Sequence, residues 1–186
     1  MPIPDVLQRA REHMTKTVEH FQHQLARLRT GRATPALIEH IRVDYYGVPT
    51  PLTQVGTISV PEPRMLVIQP WDRSLLNAIE KAILQSDIGV TPTNDGSVIR
   101  IVLPPLSEER RRELVKVCKK YAEEARIALR NIRRDYMEEL RRIEKEERLS
   151  EDERRRGEQE LQKLMDKFTE EIERILERKE KEILEE

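Results

Sequence analysis

The sequence predicts an α+β protein in which a long three-helix bundle carries a small inserted β/α/β domain. Three stretches have apolar residues at helical spacing, and the stretch that follows the first of them contains most of the eleven prolines. Charged residues make up 37% of the chain and aromatic residues 4%, which favours long helices with narrow apolar faces. We therefore expect a discontinuous bundle of residues 1–30 and 106–186, with residues 31–105 as the insert.

The first and last helices are predicted from apolar residues spaced three and four apart. The first extends from Asp5 to about Arg29 and stops at Gly31, and the last follows a capping box formed by Ser150 and Glu153. The expected core-facing residues are Leu7, Ala10, Met14, Thr17, Phe21, Leu25 and Leu28 in the first helix, and Leu161, Met165, Phe168, Ile172, Ile175 and Ile183 in the last.

The insert is predicted to contain strands, a short helix and several turns. Thr34 is placed to cap a short helical turn that has Pro35 at its first position. Asn94-Asp95-Gly96 indicates a turn into the last strand. The remaining expected elements are a strand through Ile41, Val43 and Tyr45, a turn at 46–49, a strand at 65–68, a helix at 73–85 and a strand at 98–103.

A long central helix begins after Pro104-Pro105, because neither proline can continue a strand or a helix. Ser107 is an expected N-cap, and Glu108 and Glu109 lie where the helix dipole favours negative charge. About 40 residues of helix span roughly 60 Å, so partner helices of similar length are needed. The expected apolar face comprises Leu114, Cys118, Tyr121, Ala125, Ala128, Leu129, Ile132, Tyr136 and Ile143.

Basic residues follow one side of this helix. On a helical wheel they fall within about 60° of one another beside the apolar face; they are Arg112, Lys119, Arg126, Arg130 and Arg133. Residues 108–134 carry a net charge of +5, whereas the whole chain carries −1. The opposite flank is expected to hold Glu113, Glu124, Asp135 and Glu138. This separation suits a row of phosphates, and a charged outer face of a stable bundle explains the row equally well.

The sequence contains no motif that predicts catalysis. Phosphate-binding glycine loops, nucleophile elbows and zinc-protease motifs are absent from it, and the single cysteine, Cys118, excludes a disulfide framework. His20 and His23 are close enough for a metal, but no carboxylate or cysteine set surrounds them, so we expect solvated histidines. We predict no catalytic residue, no bound metal, no cofactor and no membrane segment.

Two classes of protein fit these patterns. A structural coiled-coil protein accounts for the apolar faces, whereas a two-domain nucleic-acid-binding factor also accounts for the insert and the basic row. The insert joins the bundle through two short linkers, which are expected to act as a hinge. The expected hinge residues are Thr30, Gly31, Arg32, Pro104 and Pro105.

Four sequence blocks resemble the signatures of the bacterial ribosome recycling factor family, in order along the whole chain. The blocks are Leu28 to Pro35 (LRTGRATP), Asp44 to Leu52 (DYYGVPTPL), Pro104 to Arg111 (PPLSEERR) and Arg130 to Arg134 (RNIRR). Two departures are minor: Gly89-Val90-Thr91-Pro92 stands where the family usually has Gly-Leu-Asn-Pro, and Thr34 stands where serine or asparagine is common.

The resemblance implies an L-shaped, hinged molecule of tRNA-like dimensions that acts after translation termination. It implies a cytoplasmic monomer that is not an enzyme and that splits the 70S ribosome together with elongation factor G, which uses the GTP. The bundle would dock on large-subunit rRNA through Arg130 and Arg133, supported by Arg29, Arg110, Arg112, Lys119 and Arg126. The alternative is a passive ribosome-bound factor, which needs the basic row but no hinge.

Overall fold

The computed structural model describes residues 2–184, which form four α-helices and six β-strands. Contacts between Cα atoms divide the chain into two compact units. One contains the residues up to Thr30 and those from Ser107 onward, and the other is Gly31–Leu106. Leu106 was expected in the bundle but belongs to the second unit, because the long helix starts only after Ser107. Within residues 2–184 no helix is both long and apolar enough to cross a bilayer.

The first unit is a bundle of α1 (Pro2–Ala26), α3 (Glu108–Glu146) and α4 (Glu151–Leu184), and each helix packs on the other two. The Ser107 hydroxyl accepts the Arg110 N–H at 3.1 Å, which confirms the predicted cap. At the other end Arg148 adopts φ 55°, and the Ser150 hydroxyl accepts the Glu153 N–H at 3.1 Å, so the chain turns sharply into α4. The predicted long helix and the helix that follows it are both confirmed.

Contacts between side chains fix the directions of the helices. His13 of α1 meets Tyr136 of α3, and Arg9, one turn earlier in α1, pairs with Glu139, one turn later in α3, so these two helices are antiparallel. Arg154 of α4 lies between Glu144, at the end of α3, and Glu158 of its own helix, at 2.7 and 2.9 Å. These hydrogen bonds raise the pKa of Arg154 above its ordinary value and tie the turn together.

The buried faces differ from the predicted ones at several positions. In α1 the core contains Val6 and Val18, whereas Leu7 and Thr17 are only half-buried. The strict seven-residue pattern used for the prediction drifts by about 20° per heptad on a straight helix, which explains the shift. Four further residues also lie in the core, namely Ala122 and Leu140 of α3 and Leu164 and Leu176 of α4.

The insert contains a hairpin, a four-stranded sheet and one helix. The hairpin joins β1 (Arg42–Tyr45) to β2 (Val48–Pro51), and the antiparallel sheet has the order β3-β4-β6-β5. The sheet strands are β3 (Gly56–Glu62), β4 (Met65–Pro70), β5 (Pro92–Asn94) and β6 (Ile99–Val102), and α2 spans Leu76–Leu84. Strands β2, β3 and β5 were not predicted. Each carries proline or polar residues that weaken the strand pattern, and each is stabilised by pairing with a neighbouring strand.

The turn before β6 is held by the Asp95 carboxylate. One oxygen accepts the N–H groups of Ser97 and Val98, each at 2.9 Å, and the other pairs with Arg100. These backbone hydrogen bonds, followed by the bond from Arg100, lower the pKa of Asp95 from its ordinary 3.8 to about 2. The ionised carboxylate therefore stabilises the folded insert at neutral pH.

We expect Asp95→Asn to destabilise the insert above pH 4 and to have little effect near pH 2. Because the folded-state pKa is lowered, the stabilising contribution is complete above the unfolded-state value and is lost as the pH falls towards 2. Thermal unfolding followed by fluorescence of Trp71, the single tryptophan, measures this between pH 2 and 7. Asp87→Asn is the charge-matched control, and the same pH profile for both variants would contradict the prediction.

Candidate nucleic-acid interface

The basic row lies along one side of α3. The helix is continuous for 39 residues, so side chains seven positions apart return to nearly the same side. Arg112, Lys119, Arg126 and Arg133 follow this seven-residue spacing, and Arg130 lies beside them. At 1.5 Å per residue the row is about 30 Å long. It therefore presents cations along a line long enough to contact several phosphates of one RNA helix.

Arg126 occupies the centre of the row, and only 25% of its side chain is exposed. Its Nε donates to Glu173 of α4 at 2.8 Å, and its Nη1 donates to Glu123 at 2.9 Å. Burial by itself lowers the pKa of Arg126, but the bonds to Glu173 and Glu123 raise it above the ordinary value. The guanidinium group is therefore charged and held between two helices.

The other members of the row differ in how they are held. Arg130 is half exposed and donates to Glu123 at 3.0 Å. Arg133 is partly buried, and its Nη1 donates to Gln162 of α4 at 2.8 Å. Arg112 pairs with Glu108 at 2.6 Å in a largely exposed i,i+4 pair, and Lys119 is exposed too. Arg126 and Arg133 thus face α4, which places the row along the groove between α3 and α4.

Two predicted contact residues do not lie on this row. Arg110 is turned about 160° from Arg126 on a regular helix, and it pairs with Glu113 at 3.0 Å on the other flank. Arg29 follows the end of α1 and precedes Thr30, whose hydroxyl donates to Glu182 near the end of α4. The structure therefore brings together five of the seven predicted residues and leaves Arg110 and Arg29 apart from them.

The predicted separation of charges is only partly right. Glu108 and Glu123 lie on the same side as the arginines and pair with them, and Glu173 reaches the row from α4. The hydrogen bonds from Arg126 and Arg130 lower the pKa of Glu123, so it is ionised at neutral pH. The i,i+3 spacing of Glu123 and Arg126 was a usable signal for this pair. Glu173 and Gln162 could be found only from the packing of α4 against α3.

The two linkers leave the insert at one place. The Ala33 N–H donates to the carbonyl of Pro63 at 2.7 Å, and the Leu103 N–H donates to the carbonyl of Arg64 at 2.8 Å. Both chain ends of the insert are thus anchored on the same turn between β3 and β4. Gly31, two residues before this anchor on the first linker, adopts φ 84°, which only glycine reaches without strain.

The insert also displays aromatic side chains to solvent. Tyr46 is 74% exposed and Trp71 is 70% exposed, although the chain has only seven aromatic residues. The Tyr46 hydroxyl donates to Asp72 at 3.1 Å, and its ring packs edge-on against that of Tyr45. Tyr46 also adopts φ 50°, which is strained for a bulky residue. Exposed aromatic side chains of this kind are typical of a surface that contacts another macromolecule.

The histidines and carboxylates form no cluster of three metal-binding groups among residues 2–184. His13 is exposed, and its Nδ1 lies 2.7 Å from the Tyr136 hydroxyl. The Arg9 guanidinium lies 5.8 Å from the centre of the Tyr136 ring. These groups connect α1 to α3 and give His13 a structural contact.

Known proteins resemble this chain over nearly its full length. The family model described as Ribosome recycling factor matches residues 21–184. The chain is 57% identical to the ribosome-recycling factor of Carboxydothermus hydrogenoformans over 182 residues, covering 98% of each chain. It is also 57% identical to the ribosome-recycling factor of Geobacillus thermodenitrificans over 180 residues, covering 97% of each chain.

Solved structures agree with this result. A solution structure of the ribosome recycling factor superposes with a TM-score of 0.73 at 48% identity, covering 100% of this chain and 99% of the other. A second structure is described as models for the T. thermophilus ribosome recycling factor and the E. coli elongation factor G bound to the E. coli post-termination complex. Its matching chain gives a TM-score of 0.63 at 49% identity, covering 99% of this chain and 100% of the other. The chain belongs to the ribosome recycling factor family.

Proposed function

We propose that this protein is a cytoplasmic translation factor that splits post-termination ribosomes into subunits together with elongation factor G and GTP. The observation that carries the proposal is the full-length similarity to a recycling factor whose structure is described together with elongation factor G on a post-termination complex. The protein acts as a monomer and catalyses no reaction itself, since GTP hydrolysis belongs to the elongation factor. It needs no cofactor or metal of its own.

The bundle docks on large-subunit rRNA through the arginine row. Arg130 and Arg133 are the principal contacts, with Arg126, Arg112 and Lys119 along the same line. Arginine suits this role because its planar guanidinium group binds phosphate oxygens through two parallel hydrogen bonds and can also stack on bases. Half-exposed Arg130 has donors that remain open to a phosphate, which supports its place in the contact. Arg110 and Arg29 lie apart from this row, so they contact rRNA through a second face of the protein.

The insert moves relative to the docked bundle during splitting. The hinge consists of Thr30-Gly31-Arg32 and Pro104-Pro105, and the support for it is local. Gly31 has a conformation that is easily changed, and both linkers start from one turn at Pro63-Arg64, so a rotation of the insert strains few bonds. Elongation factor G drives the insert about this hinge, and the movement displaces rRNA that bridges the two subunits.

Light scattering of purified post-termination ribosomes tests this function. We expect scattering to fall when the protein, elongation factor G and GTP are added together, and to remain constant when any one of them is omitted. A passive factor, which blocks or preserves subunits without the translocase, binds ribosomes without this three-component requirement. Binding without splitting, with a translocase from the same species, would therefore contradict active recycling.

A further inference from the structure

One carboxylate in the arginine row is shared between two arginines. Glu123 accepts Arg126 Nη1 through one oxygen at 2.9 Å and Arg130 Nη2 through the other at 3.0 Å. Glu173 fixes the remaining side of Arg126 through its Nε at 2.8 Å. The two guanidinium groups are therefore held beside a single negative charge in the middle of the surface proposed to bind phosphates.

The contribution of these pairs to stability is too small to explain this arrangement. Glu123 and Arg130 are seven residues apart and both about half exposed, and ion pairs between solvent-exposed side chains contribute little to stability. The same carboxylate has a larger effect on an incoming phosphate, because both are anions that compete for the same N–H donors. Its main consequence is thus on binding: it lowers the affinity for phosphates in general.

We propose that Glu123 is a specificity-determining residue of the arginine row. It holds Arg126 and Arg130 in fixed positions and offsets part of their charge, so that only an RNA surface whose phosphates fit these positions binds well. An uncompensated row of mobile arginines binds any RNA through counterion release, whereas a fixed and partly neutralised row discriminates by geometry. The inference rests on the proposed docking to rRNA and adds a residue that makes the docking selective.

The test compares Glu123→Gln with Glu124→Gln. Glutamine keeps the size and helix propensity of glutamate, and the two substitutions change the net charge equally at neighbouring positions. Glu124 lies about 100° away on the helix, where it faces Lys16 and His20 of α1 across a groove. Two probes that contain RNA are used: a non-ribosomal RNA duplex of about two helical turns, and purified large ribosomal subunits.

We expect Glu123→Gln to raise the affinity for the generic duplex about fivefold at low salt, the effect of removing one charge near a bound phosphate. The slope of log affinity against log salt should become steeper by a little less than one unit, as one more phosphate is neutralised. Affinity for the large subunit should rise less or fall, so that selectivity decreases. Glu124→Gln should change duplex binding by less than about twofold.

The outcomes separate this inference from the docking proposal. If wild-type protein binds large subunits and both variants have the same selectivity, Glu123 has no specific role and the inference is overturned. If wild-type protein shows no preference for large subunits over the duplex, the docking proposal itself is overturned. If both variants unfold at the same temperature as the wild-type protein, a general loss of structure is excluded as the cause of any difference.

Discussion

Replacing Arg133 by alanine is expected to weaken binding to the large ribosomal subunit by about 1–3 kcal/mol while the bundle remains folded. Among residues 2–184 one hydrogen bond, to Gln162 at 2.8 Å, holds this guanidinium group, so most of its five N–H donors are available to RNA. Losing the hydrogen bond to Gln162 lowers the stability of the bundle by about 1 kcal/mol or less. The measurement is the equilibrium affinity for purified large subunits at fixed salt concentration.

Arg134→Ala is the matched control for this prediction. Arg134 is the next residue, has the same charge and is 65% exposed, but it points about 100° away from Arg133 and forms an ion pair with Asp135 at 3.6 Å. We expect its loss to change the affinity much less than the loss of Arg133. Unchanged affinity for Arg133→Ala at matched salt, or an equal decrease for both variants, would remove the row from the docking mechanism.

Replacing Gly31 by proline is expected to slow ribosome splitting about tenfold or more while changing affinity for the large subunit only slightly, as expected for a hinge residue. Gly31 adopts φ 84°, whereas the proline ring fixes φ near −65°. The first linker must therefore adopt a different conformation in the variant, and the proline ring then restricts its rotation. The row on α3 is not altered by this change. The rate is measured by light scattering and the affinity by sedimentation with large subunits.

Gly89→Pro controls for the strain that such a substitution introduces. Gly89 also has a positive φ, 73°, and lies in the loop between α2 and β5, outside the two linker segments in the sequence. Its replacement imposes a similar backbone change within the insert, and we expect splitting by the folded variant to proceed at nearly the wild-type rate. Equal losses of binding and splitting in Gly31→Pro would point instead to misfolding or to a damaged docking surface.

The sequence predicted the long elements of this fold because their signals are local. Ser107 caps α3 and Ser150 caps α4, as expected from side-chain chemistry within one helical turn. The Thr34-Pro35 turn was predicted for the same reason, and the Thr34 hydroxyl accepts the Ala36 N–H at 3.4 Å. Strands β2, β3 and β5 were missed because their stability comes from pairing with distant strands, which local patterns do not report.

The candidate interface was predicted as a set of cations but not as an arrangement. A helical wheel places Arg126 and Arg133 on one side, yet it gives no information about Glu173 and Gln162, which come from a neighbouring helix. The wheel also suggested a row free of carboxylates. The structure corrects this, since Glu123 joins two of its arginines. The spacing of charges along α3 therefore predicts where the arginine row lies. The packing of α4 against α3 determines which side chains of α4 pair with these arginines.

The central claim is that the bundle remains docked while the insert turns, and energy transfer between two dyes tests it most directly. One dye is attached to the bundle at Lys120→Cys and the other to the insert at Ser97→Cys; both positions are exposed, and the native Cys118 is buried. On post-termination ribosomes we predict that transfer efficiency changes after elongation factor G and GTP are added, before the subunits separate. Constant efficiency throughout splitting would contradict the account.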